Sequence, residues 1–179
     1  MNTKDDIRKL IKRQKTSLSN IDKKFQSDLV FNKLFQLREW NNAYRILAYY
    51  SLPDELQTID FLDSTSNKEL FIPRINGNTL DITYYNKNNL KMGAFNIWES
   101  NSRDTISVTE LDMIIVPGVA FDRNKNRLGR GKGFYDRLLA NTNAIKIGVC
   151  YDFQLLNMIP TVPHDIKMDI IITPSFLIF

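Results

Sequence analysis

Residues 127 to 136 read Arg-Leu-Gly-Arg-Gly-Lys-Gly-Phe-Tyr-Asp, the densest alternation of glycine and cation in the chain. Glycine lets backbone N–H groups approach a ligand closely and adopt positive φ. Successive N–H groups in such a loop form an anion-binding concavity, and a following helix N-terminus adds to it. Arg127 and Arg130 bring planar, bidentate donors, and Lys132 brings a point charge. The stretch therefore reads as a phosphate cradle. It is not a Walker loop, because Lys132 is followed by glycine and no hydroxyl is placed for magnesium. It is not a dinucleotide fingerprint, because the glycines run G-x-G-x-G with a basic residue in each gap. An RNA-binding basic loop uses the same letters. The flanks are wrong for a disordered arm, however: MIIVPGV before the loop is a buried strand, and FYDRLL after it is an amphipathic helix. Asp136 either forms a structural ion pair or helps hold Mg²⁺ against a triphosphate. Magnesium takes only one or two protein carboxylates, and Asp165, beside His164, is a possible second one. Asp169 is a third candidate, better read as the start of a strand.

Composition removes other chemistries. The chain has 179 residues, enough for one domain with its own core, and is 43% apolar and 25% charged. Lysine and arginine total 24 against 20 acidic residues, a mildly basic balance that fits an anionic small ligand or weak nucleic-acid contact and decides neither. A single cysteine, Cys150, excludes an internal disulfide framework and cysteine-rich zinc sites. A single histidine, His164, disfavours histidine-centred metal sites. No apolar run has the length of a signal peptide or a membrane span, so the expectation is a soluble, cytoplasmic protein without a membrane partner.

The elements that must carry the cradle follow from periodicity. Thr3 to Asp6 resembles a capping box, followed by Ile7, Leu10, Ile11 and Leu18 at helical spacing. Lys4 and Arg8 share a face one turn apart, as a solvated flank or as cations within reach of a polyphosphate. Ser19 caps a second amphipathic helix with Ile21, Phe25, Leu29, Leu34 and Leu37 on its apolar side. Residues 45–52 read as a buried strand ended by Pro53. Asp54 and Glu55 open a helix there, so Glu55 is either a dipole-compensating first-turn acid or a ligand group beyond a strand end. Residues 69–75 and 79–85 are strands joined by the hairpin signal Asn76-Gly77. Arg74, at the first strand's end, binds an anion or is solvated. Residues 86–109 form a long polar segment of the kind more often functional than filler, with Trp98 as a stacking surface or a tether. Strands at 144–151 and 169–173 follow, with a short helix at 153–158 between them. Cys150 is an inert core thiol. Strands alternating with helices predict a single α/β/α three-layer domain spanning 1–179, with a largely parallel sheet plus a hairpin.

The central motif RLGRGKGFYD, preceded by IIVPGVAFD, resembles the signature of the 5-formyltetrahydrofolate cyclo-ligase (methenyltetrahydrofolate synthetase) family. Its amino-terminal K-x-x-x-R matches Lys4 and Arg8. Its Y-x-x-P-x-E pattern is approximated by Tyr50, Pro53 and Glu55, and I-P-R by Ile72, Pro73 and Arg74. H-D-x-x-x-D-x-I-I-T matches His164, Asp165, Asp169, Ile171, Ile172 and Thr173. The resemblance implies an enzyme that closes the ring of 5-formyltetrahydrofolate, with or without a polyglutamate tail. It would use ATP and Mg²⁺, form 5,10-methenyltetrahydrofolate and release ADP and phosphate, after phosphorylation of the formyl oxygen. It implies ATP contacts at Lys4, Arg8, Arg127, Leu128, Gly129, Arg130, Gly131, Lys132, Gly133, Phe134 and Tyr135. Arg130, Lys132 and Tyr135 act in catalysis on this reading. Magnesium falls to Asp136 and Asp165, and folate to Tyr50, Glu55 and Trp98. The implied partner is a small molecule and not nucleic acid. Three letters depart from the family pattern: Asn96 for a glycine, Ser100 for a proline and Phe134 for a frequent tyrosine.

Overall fold

The computed structural model describes residues 3–93, 96–163 and 165–179. His164 lies outside them.

Five strands form a parallel centre in the order β2 (Glu69–Asn76), β1 (Arg45–Leu47), β7 (Met113–Val116), β10 (Ile145–Val149) and β12 (Ile170–Ile172). Antiparallel strands extend both sides: β13 (Leu177–Ile178) beside β12, then β3 (Thr79–Tyr84) and β6 (Thr105–Ile106) beyond β2. Alternation along the strands feeds two cores. Met113 and Ile115 face a cluster containing Val30, Phe31, Leu34 and Phe61, from α2 (Asn20–Phe35) and α4 (Ile59–Ser64). Ile114 and Val116 face the opposite cluster with Leu138 and Leu139 of α5 (Phe134–Leu139). Helices therefore cover both faces, the arrangement expected of strands buried on both sides. The short α3 (Arg38–Asn42) adds Trp40 to the first cluster.

Both predicted helix caps form. The Thr3 hydroxyl accepts from the Asp6 amide ahead of α1 (Lys4–Thr16), and Ser19 makes a full capping box with Asp22 ahead of α2. The buried face of α2 differs from the expected one: Ser27, Val30, Phe31 and Leu34 pack inward, while Ile21 and Phe25 are exposed. Ser27 turns inward because its hydroxyl bonds Lys23 O and accepts from the Gln57 amide, docking the 57 segment on the helix.

The predicted strand at 45–52 is shorter than its apolar run. It ends at Leu47, and residues 49–58 close on themselves. Thr58 Oγ1 donates to Tyr49 O at 2.6 Å, and Ser51 and Thr58 exchange amide-to-hydroxyl bonds at 3.1 Å. Those backbone groups are thus satisfied without a neighbouring strand. The helix expected to open at Asp54 starts only at Ile59, so Glu55 is not a first-turn helix acid.

Segment 86–109 is less irregular than its composition suggests. It holds the hairpin β4 (Leu90–Met92) with β5 (Trp98–Ser100), and the edge strand β6. The short helix expected at 153–158 is a 3₁₀ turn at Asp152–Gln154 followed by β11 (Leu155–Leu156). β11 joins β8 (Ala120–Asp122) and β9 (Arg127–Leu128) in a small second sheet, on which α1 packs through Ile7 and Ile11.

Candidate active site

From β1 the chain steps to β2 on one side, and the later strands β7, β10 and β12 run out on the other. Strand order therefore reverses between β1 and β7. In open parallel sheets a crevice forms at the carboxyl ends of the strands flanking such a reversal. A cavity of about 420 Å³ lies there, walled by Tyr49, Tyr50 and Glu55 after β1, by Pro117 and Gly118 after β7, and by the glycine-rich loop.

That loop is positioned from below by an Asx turn. The fully buried Asp122 carboxylate accepts from the amides of Asn124, Asn126 and Ile159 and from Asn126 Nδ2, all within 2.9–3.0 Å. This tightens the turn between β8 and β9, with Lys125 at φ +65. Arg127 is delivered at its end, buried, donating to Asp136 at 2.5 Å and to Pro117 O at 3.3 Å. The Leu128 side chain anchors the small-sheet core and its carbonyl is taken by the Val119 amide, so Leu128 tethers the loop. Gly131 and Gly133 adopt φ +96 and +68, where a Cβ is strained. At Gly133 a Cβ would also stand 2.7 Å from Arg137 Nη1. α5, at six residues, is too short to supply much of a helix dipole, so the loop's own amides and side chains must make the cradle.

The loop has two faces. On the outer one, Arg8 Nε donates to Gly129 O at 3.1 Å, and its guanidinium passes beside Gly131. Lys4, one turn earlier on α1, pairs with Asp165 at 2.7 Å. The inner face, with Arg127, Arg130, Lys132 and Tyr135, looks into the cavity. There Arg130 donates to Glu55 at 3.0 Å and to Asp54 at 2.7 Å. Burial works against the charged Arg130, but Glu55 and Asp54 outweigh it and raise its pKa. Glu55 also accepts from the Leu52 amide at 3.1 Å, which holds its carboxylate toward the cavity.

Two buried polar atoms on this wall make no hydrogen bond: the Tyr135 hydroxyl and Arg127 Nε. Buried polar groups are almost always paired, so an unpaired one beside a cavity is open to a ligand or to water. Burial pushes the Tyr135 phenol up, with Glu55 adding to the effect, so it stays protonated and can donate. Phe134, at the position where tyrosine is frequent, lines the cavity and lies under the Arg137 guanidinium, 5.5 Å from the ring centroid.

The structure brings together most, not all, of the residues singled out in the sequence. Tyr50, Glu55, Asp136 and the loop share the cavity. Trp98 does not line it. Trp98 is 42% exposed on β5, and strand alternation turns its neighbours Ile97 and Glu99 inward instead. Arg74 is committed to Asp81 at 3.0 Å and to Ser102 O. The two carboxylates read as magnesium ligands each meet a cation, Asp136 with Arg127 and Asp165 with Lys4. Asn96 has φ +57, which accounts for glycine at that place in the family pattern and for asparagine as its substitute. Glu99, Asp122 and Lys15 escaped the sequence reading, and Asp54 entered it only as a helix opener. Only Asp122 had a local signal, the Asp-x-Asn-x-Asn spacing of its turn.

Known proteins share the sequence pattern and the fold of this chain. The model of the 5-formyltetrahydrofolate cyclo-ligase family matches residues 1–174. The chain belongs to the 5-formyltetrahydrofolate cyclo-ligase family. The cyclo-ligase of Haemophilus influenzae is 31% identical over 181 residues, covering 94% of this chain and 97% of that one. That of Escherichia coli K12 is 33% identical, covering 74% and 79%. The solved 5,10-methenyltetrahydrofolate synthetase of Aquifex aeolicus is 32% identical, with a TM-score of 0.89 over 98% of this chain and 91% of that one. A Mycoplasma pneumoniae synthetase, 24% identical with a TM-score of 0.78, shares the fold. Family and structural relatives together support a cyclo-ligase acting from 5-formyltetrahydrofolate to 5,10-methenyltetrahydrofolate. Among the described residues no helix is long and apolar enough to cross a membrane.

Proposed function

We propose that this cyclo-ligase uses ATP to activate the formyl oxygen of 5-formyltetrahydrofolate before ring closure, and that the glycine-rich loop separates the two substrates. The observation that carries the reading is a buried, unpartnered Tyr135 hydroxyl sharing one cavity with Arg130 and Lys132. An amide-like oxygen leaves poorly, and a phosphate ester leaves well. The formyl oxygen attacks the γ-phosphorus and ADP departs. N10 then attacks the formyl carbon, the C–O bond to phosphate breaks, and the proton lost from N10 leaves with the phosphate. Phosphoryl transfer asks mainly for positioning and charge neutralisation, which a loop of amides, arginine and lysine provides without a histidine or thiol.

Lys4 and Arg8 hold the triphosphate from the outer side. Gly129, Gly131 and Gly133 let it approach the backbone. Arg130 and Lys132 face the transferring group, and Tyr135 donates to the reacting oxygen. Tyr50 and Glu55 face the pterin, with Glu55 accepting from its N–H edge. A hard cation bound mostly by phosphate and water needs one or two carboxylates, and Asp136 on the cavity wall suits that role. Among the described residues no three metal-ligating side chains converge, which fits magnesium arriving with the nucleotide. Magnesium supplies charge neutralisation on the phosphates. Cations turned into a cavity and already facing carboxylates favour a small anionic ligand over nucleic acid.

The test is conversion of 5-formyltetrahydrofolate by folded protein with ATP and Mg²⁺, followed by the near-ultraviolet absorbance of the methenyl product. Turnover that depends on both is expected. Turnover independent of ATP, or none at saturating ATP and Mg²⁺, would overturn the reading.

A further inference from the structure

The inward stripe of α1 runs Ile7, Ile11, Lys15, so a lysine stands where a third aliphatic residue would pack. Lys15 is only 5% exposed. Burying an ammonium is costly unless it meets a counter-charge. Its Nζ lies 3.4 Å from Asp54 Oδ2. The other oxygen of the same carboxylate, Oδ1, takes Arg130 at 2.7 Å, and Arg130 reaches on to Glu55. Two cations and two anions thus form one line: Lys15, Asp54, Arg130, Glu55.

The line is asymmetric. The Lys15 side chain is fixed in the core, whereas that of Arg130 is 48% exposed. Only Arg130 is placed to move. We propose that Lys15 is a positioning residue: a resident counter-ion that keeps Asp54 paired, so that Arg130 can leave for a phosphate and uncover Glu55. This rests on the reading of Arg130 as an ATP contact and Glu55 as a folate contact. When Arg130 turns away, Asp54 keeps Lys15, and Glu55 keeps the Leu52 amide while its other acceptor sites open toward the cavity. Without Lys15, the same movement leaves two part-buried carboxylates with no cation, and Arg130 is held back. ATP binding and exposure of the folate carboxylate are coupled through one guanidinium.

The experiment is a double-mutant cycle read as KM for ATP and kcat, in the intact protein: wild type, Lys15→Met, Asp54→Asn and both together. Lys15→Met is expected to raise KM for ATP about tenfold, the worth of one charge-assisted contact of about 1.4 kcal/mol. Adding Asp54→Asn removes the carboxylate that detains Arg130, and is expected to bring KM back to within about threefold of wild type. A void left in the core would not be repaired by that second change. A double variant as impaired as Lys15→Met, or a Lys15→Met variant with unchanged KM, overturns the proposal. If Lys15→Met does not fold, Asp54→Asn alone decides. It should lower KM for ATP, and an unchanged or higher KM overturns the proposal. Wild-type protein without ATP-dependent turnover would remove the ATP reading and the proposal together. Wild-type turnover without the rescue removes the proposal alone.

Discussion

Replacing Tyr135 by phenylalanine separates what the residue does for stability from what it does for chemistry. Its hydroxyl is buried and makes no hydrogen bond, a state that costs about 1–3 kcal/mol. The ring stacks under the Arg127 guanidinium, 5.6 Å from its centroid, a contact phenylalanine retains. Tyr135→Phe should therefore leave packing intact and remove a penalty. In a chain of this length each kcal/mol moves Tm by about 2–4 °C, so relief of about 1–3 kcal/mol corresponds to a rise of about 2–12 °C. Turnover should move the other way. Loss of one preorganised donor to a reacting oxygen typically lowers kcat about 10²–10³-fold. Because burial holds the phenol above its ordinary value of 10, wild-type turnover should show no tyrosine ionisation as pH rises toward that value. The assay pairs calorimetric Tm with methenyl absorbance. A several-degree fall in Tm would mean the hydroxyl is satisfied in solution, and unchanged kcat would mean it donates to nothing that reacts. Either result refutes the argument.

Arg127→Met strips the partner from Asp136 and should destabilise by about 3 kcal/mol in denaturant titration; a change under about 1 kcal/mol would show the pair to be dispensable. Arg8→Ala should raise KM for ATP about tenfold with Tm within about 2 °C, whereas a folding defect alone would place Arg8 in the scaffold. Burial disfavours ionisation of Asp152, but hydrogen bonds from Thr173 and Ser175 outweigh it and hold its pKa below the ordinary 3.8. A depressed carboxylate pKa adds stability present above the unfolded value and lost as pH falls through the folded one. Asp152→Asn should thus flatten the decline of Tm below about pH 4, and an unaltered slope would reject the assignment. Burial pushes the Cys150 thiol up, so iodoacetamide should label it only on unfolding, as read by mass spectrometry; rapid labelling of native protein would contradict its burial.

What the sequence made legible was mostly local or repetitive. The Thr3 and Ser19 caps, the Asn76-Gly77 hairpin and the apolar runs of β7, β10 and β12 each carry their cause within a few residues. Glycine and cation alternation located the loop for the same reason. The failures share a different cause. The 45–52 run looked like one long strand because Tyr49 and Tyr50 are apolar enough to belong to it. What ends the strand is a side chain nine residues beyond Tyr49, Thr58, which takes the Tyr49 carbonyl. Trp98 drew attention by its type, yet pleat parity turns Glu99 inward, and parity follows from pairing with β4. Asp54 and Lys15 meet across 39 positions, and no window of sequence contains both. Lys15 drew no attention because helical spacing alone does not say where a stripe stops being covered.

The loop is fastened in two separate cores, at Leu128 on the small sheet and at Leu138 and Leu139 under the main one. Between those anchors lie exposed arginine and lysine residues, the preferred targets of trypsin. A protease needs several consecutive residues drawn out into an extended strand. Here that slack exists only if one anchor is pulled from its core. The most basic and accessible-looking part of the chain should consequently be among the last places native protein is cut. The time course of tryptic cleavage there should follow unfolding of a core rather than fluctuation of a loop.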